Sequence, residues 1–290
     1  RIIVAFAAGG PVDAMARTLV EPLGRALGKT VIVENKPGAS GAIGANEVLK
    51  SEPDGSTLWL TSVGAAAINP ALFPKLAYSM QKDFAPVSLA ANNVEVFVVN
   101  VNNPAKDALE FMAAAKAKKE PVAIASSGKG SIPHLALLQL EYSTGIDMLH
   151  VPYNGMAPAL NDLLGGQVSG FFADVPAVMA QIKGGKLRAI AVSSPKPSRS
   201  LPGVPTVAES GFPDFSAGSW FGMLAPKGTP QAIIDKLNKE VNLAMIPLEH
   251  RFIQEGADPV GGTAAYFQDF IRTEHLKWKK VVIDSGAIPR

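Results

Sequence analysis

The chain has 290 residues, 47% of them hydrophobic and 18% charged, which leaves enough apolar material for about two domain cores. Its 27 basic and 25 acidic side chains give a net charge of +2, and the densest basic run, "KAKKE", ends in an acid, so a nucleic-acid partner is set aside. The absence of cysteine excludes thiol catalysis, cysteine zinc sites and disulfides, and no apolar stretch approaches the ~18 residues of a membrane span.

"RIIVAF" reads as a buried strand, and Val12, Ala16, Leu19, Val20, Leu23 and Leu27 then keep the spacing of one helix face. "TVIVEN" is the next strand, followed by the glycine-rich "KPGASGAIG" and a helix to about Lys50. "STLWLTSV", "PVSLA" and "VEVFVVNV" follow as strands, the last uninterrupted enough to be buried on both faces. From "DALEFMAAAKAK" the alternation restarts: helix, strand "PVAIAS", helix "IPHLALLQLEY", strand "DMLHV", helix "APALNDLLGG", strand "VSGFFA", helix "PAVMAQIKGG", strand "LRAIAV". A proline- and serine-rich stretch, "SSPKPSRSLPGVP", breaks the rhythm; "GSWFGMLAP" reads as one more strand, and the remainder from Pro230 as helices without strands.

Strands alternating with helices predict an α/β fold with mostly parallel sheets and right-handed crossovers. A helical tail must bury its amphipathic faces. Packing back on the first unit makes that domain discontinuous, 1–100 with 225–290, around a second domain at 101–224, with a hinge formed by the two crossings. The chain begins on a strand without an initiator methionine, so an upstream segment and export are expected.

The opening "AFAAGGPVDAMAR" is a strand–turn–helix junction. Pro11 suits the first helical position, Gly10 the N-cap, and Asp13 can reach back to the cap and favour the positive helix end. Gly9 and Gly10 leave no Cβ in front of the free amides, a geometry suited to a carboxylate. The same construction recurs in "AIASSGKGSIPHLAL", with Ser131 as N-cap, in "HVPYNGMAPAL", with Pro158 in the first turn, and in "GFFADVPAVM", with Asp174 as N-cap. Such loops gather at the carboxyl ends of strands, where open α/β sheets bind ligands. Four or five donors at about 1.5–3 kcal/mol each, with helix-end contributions of ~0.3–1 kcal/mol, suffice for micromolar binding without an arginine.

Each feature has a plainer reading. A Gly-Gly-Pro turn also simply ends a strand, and Asp13 also serves as a cap paired with Arg17. Ser131 caps whether or not it binds, and His134 is either structural or a carboxylate contact. Phe171, Phe172, Trp220 and Phe221 read as core. No phosphate loop, dinucleotide fingerprint, nucleophile elbow or H-E-x-x-H is present, and the histidines at 134, 150, 250 and 275 lie far apart in sequence. No enzyme activity, metal or cofactor is expected.

The ordered set "AFAAGGPVDAMAR", "VIVENKPGASGAIGANEV", "PDGSTLWL", "INPALF", "DFAPVSL", "HVPYNGMAPALNDLLGGQV", "IKGGKLRAIAVSS", "LPGVPTVAESGFP" and "GTPQAIIDKLNKEV" covers essentially the whole chain. It resembles the extracytoplasmic solute receptors of tripartite tricarboxylate transporters, the Bug family. The resemblance implies a two-lobed, flytrap-like periplasmic binding protein that closes on a small organic acid and serves membrane transporter subunits, as a monomer. It implicates Phe6, Ala8, Gly9, Gly10, Val12 and Asp13 on one side, with Ala66 near that wall. On the other it implicates Ser126, Ser127, Gly130, Ser131 and His134, then Tyr153, Ala157 and Asp174. Family members commonly carry proline at the positions of Ala5 and Ala8, a hydroxyl residue at Val12 and a polar residue near Ala66. A more apolar pocket is expected here, for a longer dicarboxylate or an aromatic acid rather than citrate. A module feeding a sensor kinase, or an enzyme acting on small acids, are the alternative readings.

Overall fold

The computed structural model describes residues 1–284 apart from Ala7, Pro74, Lys129, Gly130, Asn154, Asp214 and Glu255, with the backbone alone for Ser40 and Asp284. The chain divides into two compact units, the first made of Arg1–Asn92, Trp220–Phe252 and Pro259–Arg290, the second of Asn93–Ser219 and Ile253–Asp258. The chain thus changes unit at Asn92–Asn93 and Ser219–Trp220, where the sequence had placed the crossings near Val101 and Leu224. The return of Ile253–Asp258 to the second unit had no sequence signal.

The first unit opens with β1 (Ile2–Val4), α1 (Pro11–Leu27), β2 (Val33–Asn35), α2 (Ala42–Leu49) and β3 (Leu58–Ser62). The short helices α3 (Asn69–Leu72) and α4 (Met80–Asp83) lead into β4 (Phe84–Asn93). The second unit carries β5 (Glu95–Asn100), α5 (Ala108–Ala117), β6 (Val122–Ser126), α6 (Ile132–Thr144), β7 (Met148–Pro152), α7 (Met156–Leu164), β8 (Gly170–Asp174), α8 (Val175–Lys183) and β9 (Leu187–Val192). The chain continues through β10 (Ser219–Pro226), α9 (Gln231–Met245), α10 (Glu249–Gln254), β11 (Ala257–Pro259) and α11 (Ala264–Asp284).

The six-stranded sheet runs β11-β4-β10-β3-β1-β2 and the five-stranded sheet β7-β6-β8-β5-β9. Both are mixed, each keeping a parallel set with an antiparallel strand beside it. In the first, β1 is parallel to β2 and β3, but β10 is antiparallel to β3. In the second, β6 is parallel to β7 and β8, but β5 is antiparallel to β8 and β9. The reason is connectivity: β5 follows β4 with Val94 alone between them, so no crossover helix turns it into line with its neighbours. The tail is not free of strands either, because Val260 and Gly261 donate to Ala90 and Leu89 and hold the short β11 at the sheet edge.

The first core sets Trp59 against Phe84 and Tyr78, at centroid distances of 4.8 and 5.7 Å, and α1 buries Met15, Ala16, Leu19 and Leu23. The α11 helix is fastened by one carboxylate, Glu274, which accepts from both Trp220 Nε1 (3.0 Å) and Trp278 Nε1 (3.1 Å). In the second unit Val94, Val96 and Val98 face Leu163 and Val178 in one core. On the other face Phe97 stacks on Phe172 at 4.6 Å and meets Phe111 edge-on at 5.0 Å. Phe171, Phe172, Trp220 and Phe221 are core residues, as expected from their context.

Candidate functional site

Each unit presents the carboxyl ends of its parallel strands and the loops that follow them, the edge at which open α/β sheets take ligands. In the first unit β1 ends at Val4, and α1 begins with Pro11 behind the N-cap Gly10, which makes no side-chain cap. Ala8 and Gly9 are exposed and Phe6 is half-buried. Gly9 lies at φ 84, and a Cβ there would point into open space, so the glycine serves the backbone turn and leaves the approach clear.

Asp13 is 2% exposed, and donors engage both of its oxygens. Oδ2 accepts from the Gly9 N–H (2.8 Å) and Arg17 Nε (2.9 Å), and Oδ1 from Asn35 Nδ2 (2.8 Å). Burial opposes ionisation, but the hydrogen bonds from Arg17, Gly9 and Asn35 outweigh it and hold the carboxyl below its ordinary range. Asn35 Nδ2 also donates to the Phe6 carbonyl (3.1 Å), so the end of β2 and the start of α1 together shape the loop. Val12 is buried in the core.

The loop after β2 explains "GASGAIG". A Cβ on Gly44 would fall 2.6 Å from the Ala5 Cβ, and one on Gly41 3.0 Å from the Ala65 Cβ. Those glycines let one loop press against the next; they are not a cofactor fingerprint. Ala66, 1% exposed, sits in a π-helical turn, Gly64–Ile68, a rare conformation that is frequent at functional sites. Tyr78 clamps that turn by donating its hydroxyl to the Ala65 carbonyl at 2.6 Å.

In the second unit Ser126, Ser127, Ser131, His134 and Tyr153 come together around the loop between β6 and α6; Gly130 lies outside the described residues. Ser131 caps α6, accepting from the His134 N–H (3.4 Å) while its hydroxyl donates to the Gly128 carbonyl (2.7 Å). Tyr153 donates its N–H to the Ser126 carbonyl (3.0 Å) and its hydroxyl to Asp162 (2.6 Å). Burial first, then the Asp162 carboxylate, pushes the phenol up to about 12. Ala157 is exposed in the first turn of α7.

His150, on β7, was not singled out in the sequence, yet Ser126 Oγ lies 2.6 Å from its Nε2 and its ring stacks on His134 at 4.0 Å. Two histidines far apart in sequence are thus neighbours. The signal was available in the alternation of "DMLHV": His150 pairs in register with Ile124, two residues before Ser126, and therefore shares its face.

Asp174 is the N-cap residue of α8 but makes no side-chain cap. Its carboxylate turns instead to Asn93, whose Nδ2 donates to Oδ1 at 2.6 Å, and to Glu95, its register partner on β5. Glu95 is 2% exposed. Burial, and the Asp174 charge beside it, raise Glu95 well above the ordinary carboxylate range; burial likewise raises Asp174. Nothing in the local sequence of Asn93 or Glu95 marked them. Among the described residues no group of three or more His, Cys, Asp or Glu is placed to hold a metal, and no helix is long and apolar enough to cross a membrane.

The sequence matches the model of the tripartite tricarboxylate transporter family receptor over residues 15–287. Protein BugT of Bordetella pertussis is 39% identical, over 99% of this chain and 89% of its own length. A solved periplasmic transporter is also 39% identical, with a TM-score of 0.82 over 99% of this chain and 97% of that one. A Rhodopseudomonas palustris protein, Rpa4515, solved with adipate, is 30% identical, with a TM-score of 0.81 over 98% and 96%. With two helix-flanked mixed sheets and a family match along nearly its whole length, the chain belongs to the tripartite tricarboxylate transporter receptors: it is a periplasmic binding protein for small carboxylates that feeds such a transporter, and not an enzyme.

Proposed function

We propose that the ligand is a longer dicarboxylate or an aromatic carboxylate, gripped through Phe6, Ala8, Gly9, Gly10 and the Ala66 turn of one unit and Ser126, Ser127, Ser131, His134 and Asp174 of the other. Val12, Asp13, Tyr153 and Ala157 shape or border those loops. The observation that carries this reading is the bare turn before α1, where exposed Ala8 and Gly9 precede a helix start with no side-chain cap. Its basic neighbour, Arg17, is engaged by Asp13 and Asn35, so the backbone supplies the positive pole. Val12 and Ala66 bring no hydroxyl to this edge, which favours a hydrocarbon body over a hydroxylated tricarboxylate. The adipate in the R. palustris relative is in keeping with a long dicarboxylate. Thermal-shift and calorimetric titration with adipate, benzoate, terephthalate and citrate tests the reading. Stabilisation by one of the first three is expected; stabilisation by citrate alone overturns it.

A further inference from the structure

Three neighbouring chain segments at the carboxyl edge of the second sheet bring polar groups into one row. Glu95 pairs in register with Asp174 on one side. On the other, Ser193 continues the Val96–Val192 register by one residue, and its N–H donates to the Glu95 carbonyl at 2.8 Å. Side chains directly opposite one another share a face of the sheet, so Asp174, Glu95 and Ser193 face the same way. Asn93 completes the group through its 2.6 Å bond to Asp174.

Glu95 and Ser193 are 2% and 0% exposed, and Glu95 Oε2 and Ser193 Oγ have no hydrogen-bond partner among the described residues. Buried polar atoms are rarely left so. Two carboxyls held this close, away from water, do not both ionise. Asp174 receives a hydrogen bond from Asn93 and keeps acceptor capacity on its half-buried side chain at the strand end.

We propose that Glu95 and Asp174 form a carboxyl pair carrying one proton and one negative charge, and that this pair sets ligand specificity. Glu95 is the positioning residue, and Asp174 the ligand-facing acceptor. The pair accepts a hydrogen-bond donor on the ligand body and repels a second carboxylate. The inference rests on the carboxylate reading above and narrows its two classes to one, an aromatic monocarboxylate with a ring hydroxyl.

Matched ligands separate these outcomes in calorimetric titrations of the full chain: 3- and 4-hydroxybenzoate against isophthalate and terephthalate, which place a carboxylate where the others place a hydroxyl. The wild-type protein is expected to bind the better hydroxybenzoate at least tenfold more tightly than its dicarboxylate counterpart. Asp174→Asn, checked for folding by circular dichroism, is expected to shrink that ratio at least tenfold. Glu95→Gln, whose amide still donates to Asp174, retains the ratio, whereas Glu95→Leu loses it. A wild-type preference for the dicarboxylates, or a ratio that Asp174→Asn leaves within twofold, overturns the pair while leaving the carboxylate reading intact. If no carboxylate in this panel, adipate included, binds the folded wild-type protein, the carboxylate reading falls and the pair with it. Should Asp174→Asn not fold, the wild-type ratio and the Gln-against-Leu contrast at position 95 decide.

Discussion

Ser126 Oγ at the end of β6 and His150 Nε2 in the middle of the adjacent parallel strand β7 stand 2.6 Å apart, and the His150 ring lies flat against His134 at the start of α6. The contact ties the β6 loop to its neighbouring strand and to the helix that follows. Ser126 is fully buried, so its hydroxyl depends on this partner and on the Gly128 backbone, which both accepts from it and donates to it at 3.2 Å.

Replacing His150 by Ala should therefore leave the Ser126 hydroxyl with the Gly128 backbone alone, remove the ring stacked on His134 and loosen the loop. The expected cost is about 0.5–1.5 kcal/mol of unfolding free energy, with at least a fivefold loss of carboxylate affinity. Urea denaturation and calorimetry on the same variant check both. Unchanged affinity would show that the β6 loop does not form part of the binding edge.

Asp13 makes the opposite kind of prediction, because its charge is stabilised by the fold. Asp13→Ala removes the acceptor for Gly9, Arg17 and Asn35 and should cost about 2–3 kcal/mol, despite the exposed guanidinium on one side. The pH dependence follows from its lowered pKa. The stabilisation is fully present above the ordinary aspartate value and is lost as pH falls through the lower folded value. Wild type should lose more stability than Asp13→Asn over that acidic window, as read by unfolding midpoints.

Glu95 has the reverse sign. Its folded pKa is raised by burial and by Asp174, so between the ordinary glutamate value and that higher one the folded state holds the extra proton. Stability should fall as pH rises through this window, by up to about 1.4 kcal/mol per pH unit for one proton. Glu95→Gln should flatten the slope, and unfolding curves from acid to neutral pH measure it.

Gly44 gives a test of packing against propensity. Alanine is the better helix former by about 1 kcal/mol, but its Cβ would fall 2.6 Å from the Ala5 Cβ and 2.8 Å from the Ala5 Cα. Gly44→Ala should destabilise by about 1–3 kcal/mol through overpacking, and it should displace the loop after β1. Gly9→Ala meets no atom within 4 Å and is opposed only by its left-handed φ of 84, at about 1–2 kcal/mol. A smaller affinity loss for Gly44→Ala than for Gly9→Ala would argue against coupling between the two loops.

Tyr153→Phe removes a hydroxyl that is engaged by Asp162. Affinity should stay within about threefold, while stability falls by about 0.5–1.5 kcal/mol. A larger affinity loss would place the phenol on the ligand.

The sequence by itself determined the order of strands and helices except the short α3, α4 and β11, with the caps of α1 and α6, the glycine turns and the aromatic core, because these rest on local propensity, period and φ preferences that neighbouring residues carry. Val12 and Ala66 could be named from pattern and resemblance, but their burial could not. Only the tertiary structure decided that β5 and β10 run antiparallel, that Ile253–Asp258 returns to the second unit, and that Asp174 turns from its helix to Asn93 and Glu95. It also decided that His134 and His150 stack. Those relationships join residues far apart in the chain, and no local pattern encodes which strand lies beside which. The carboxyl pair and the histidine pair arise from strand register and helix docking.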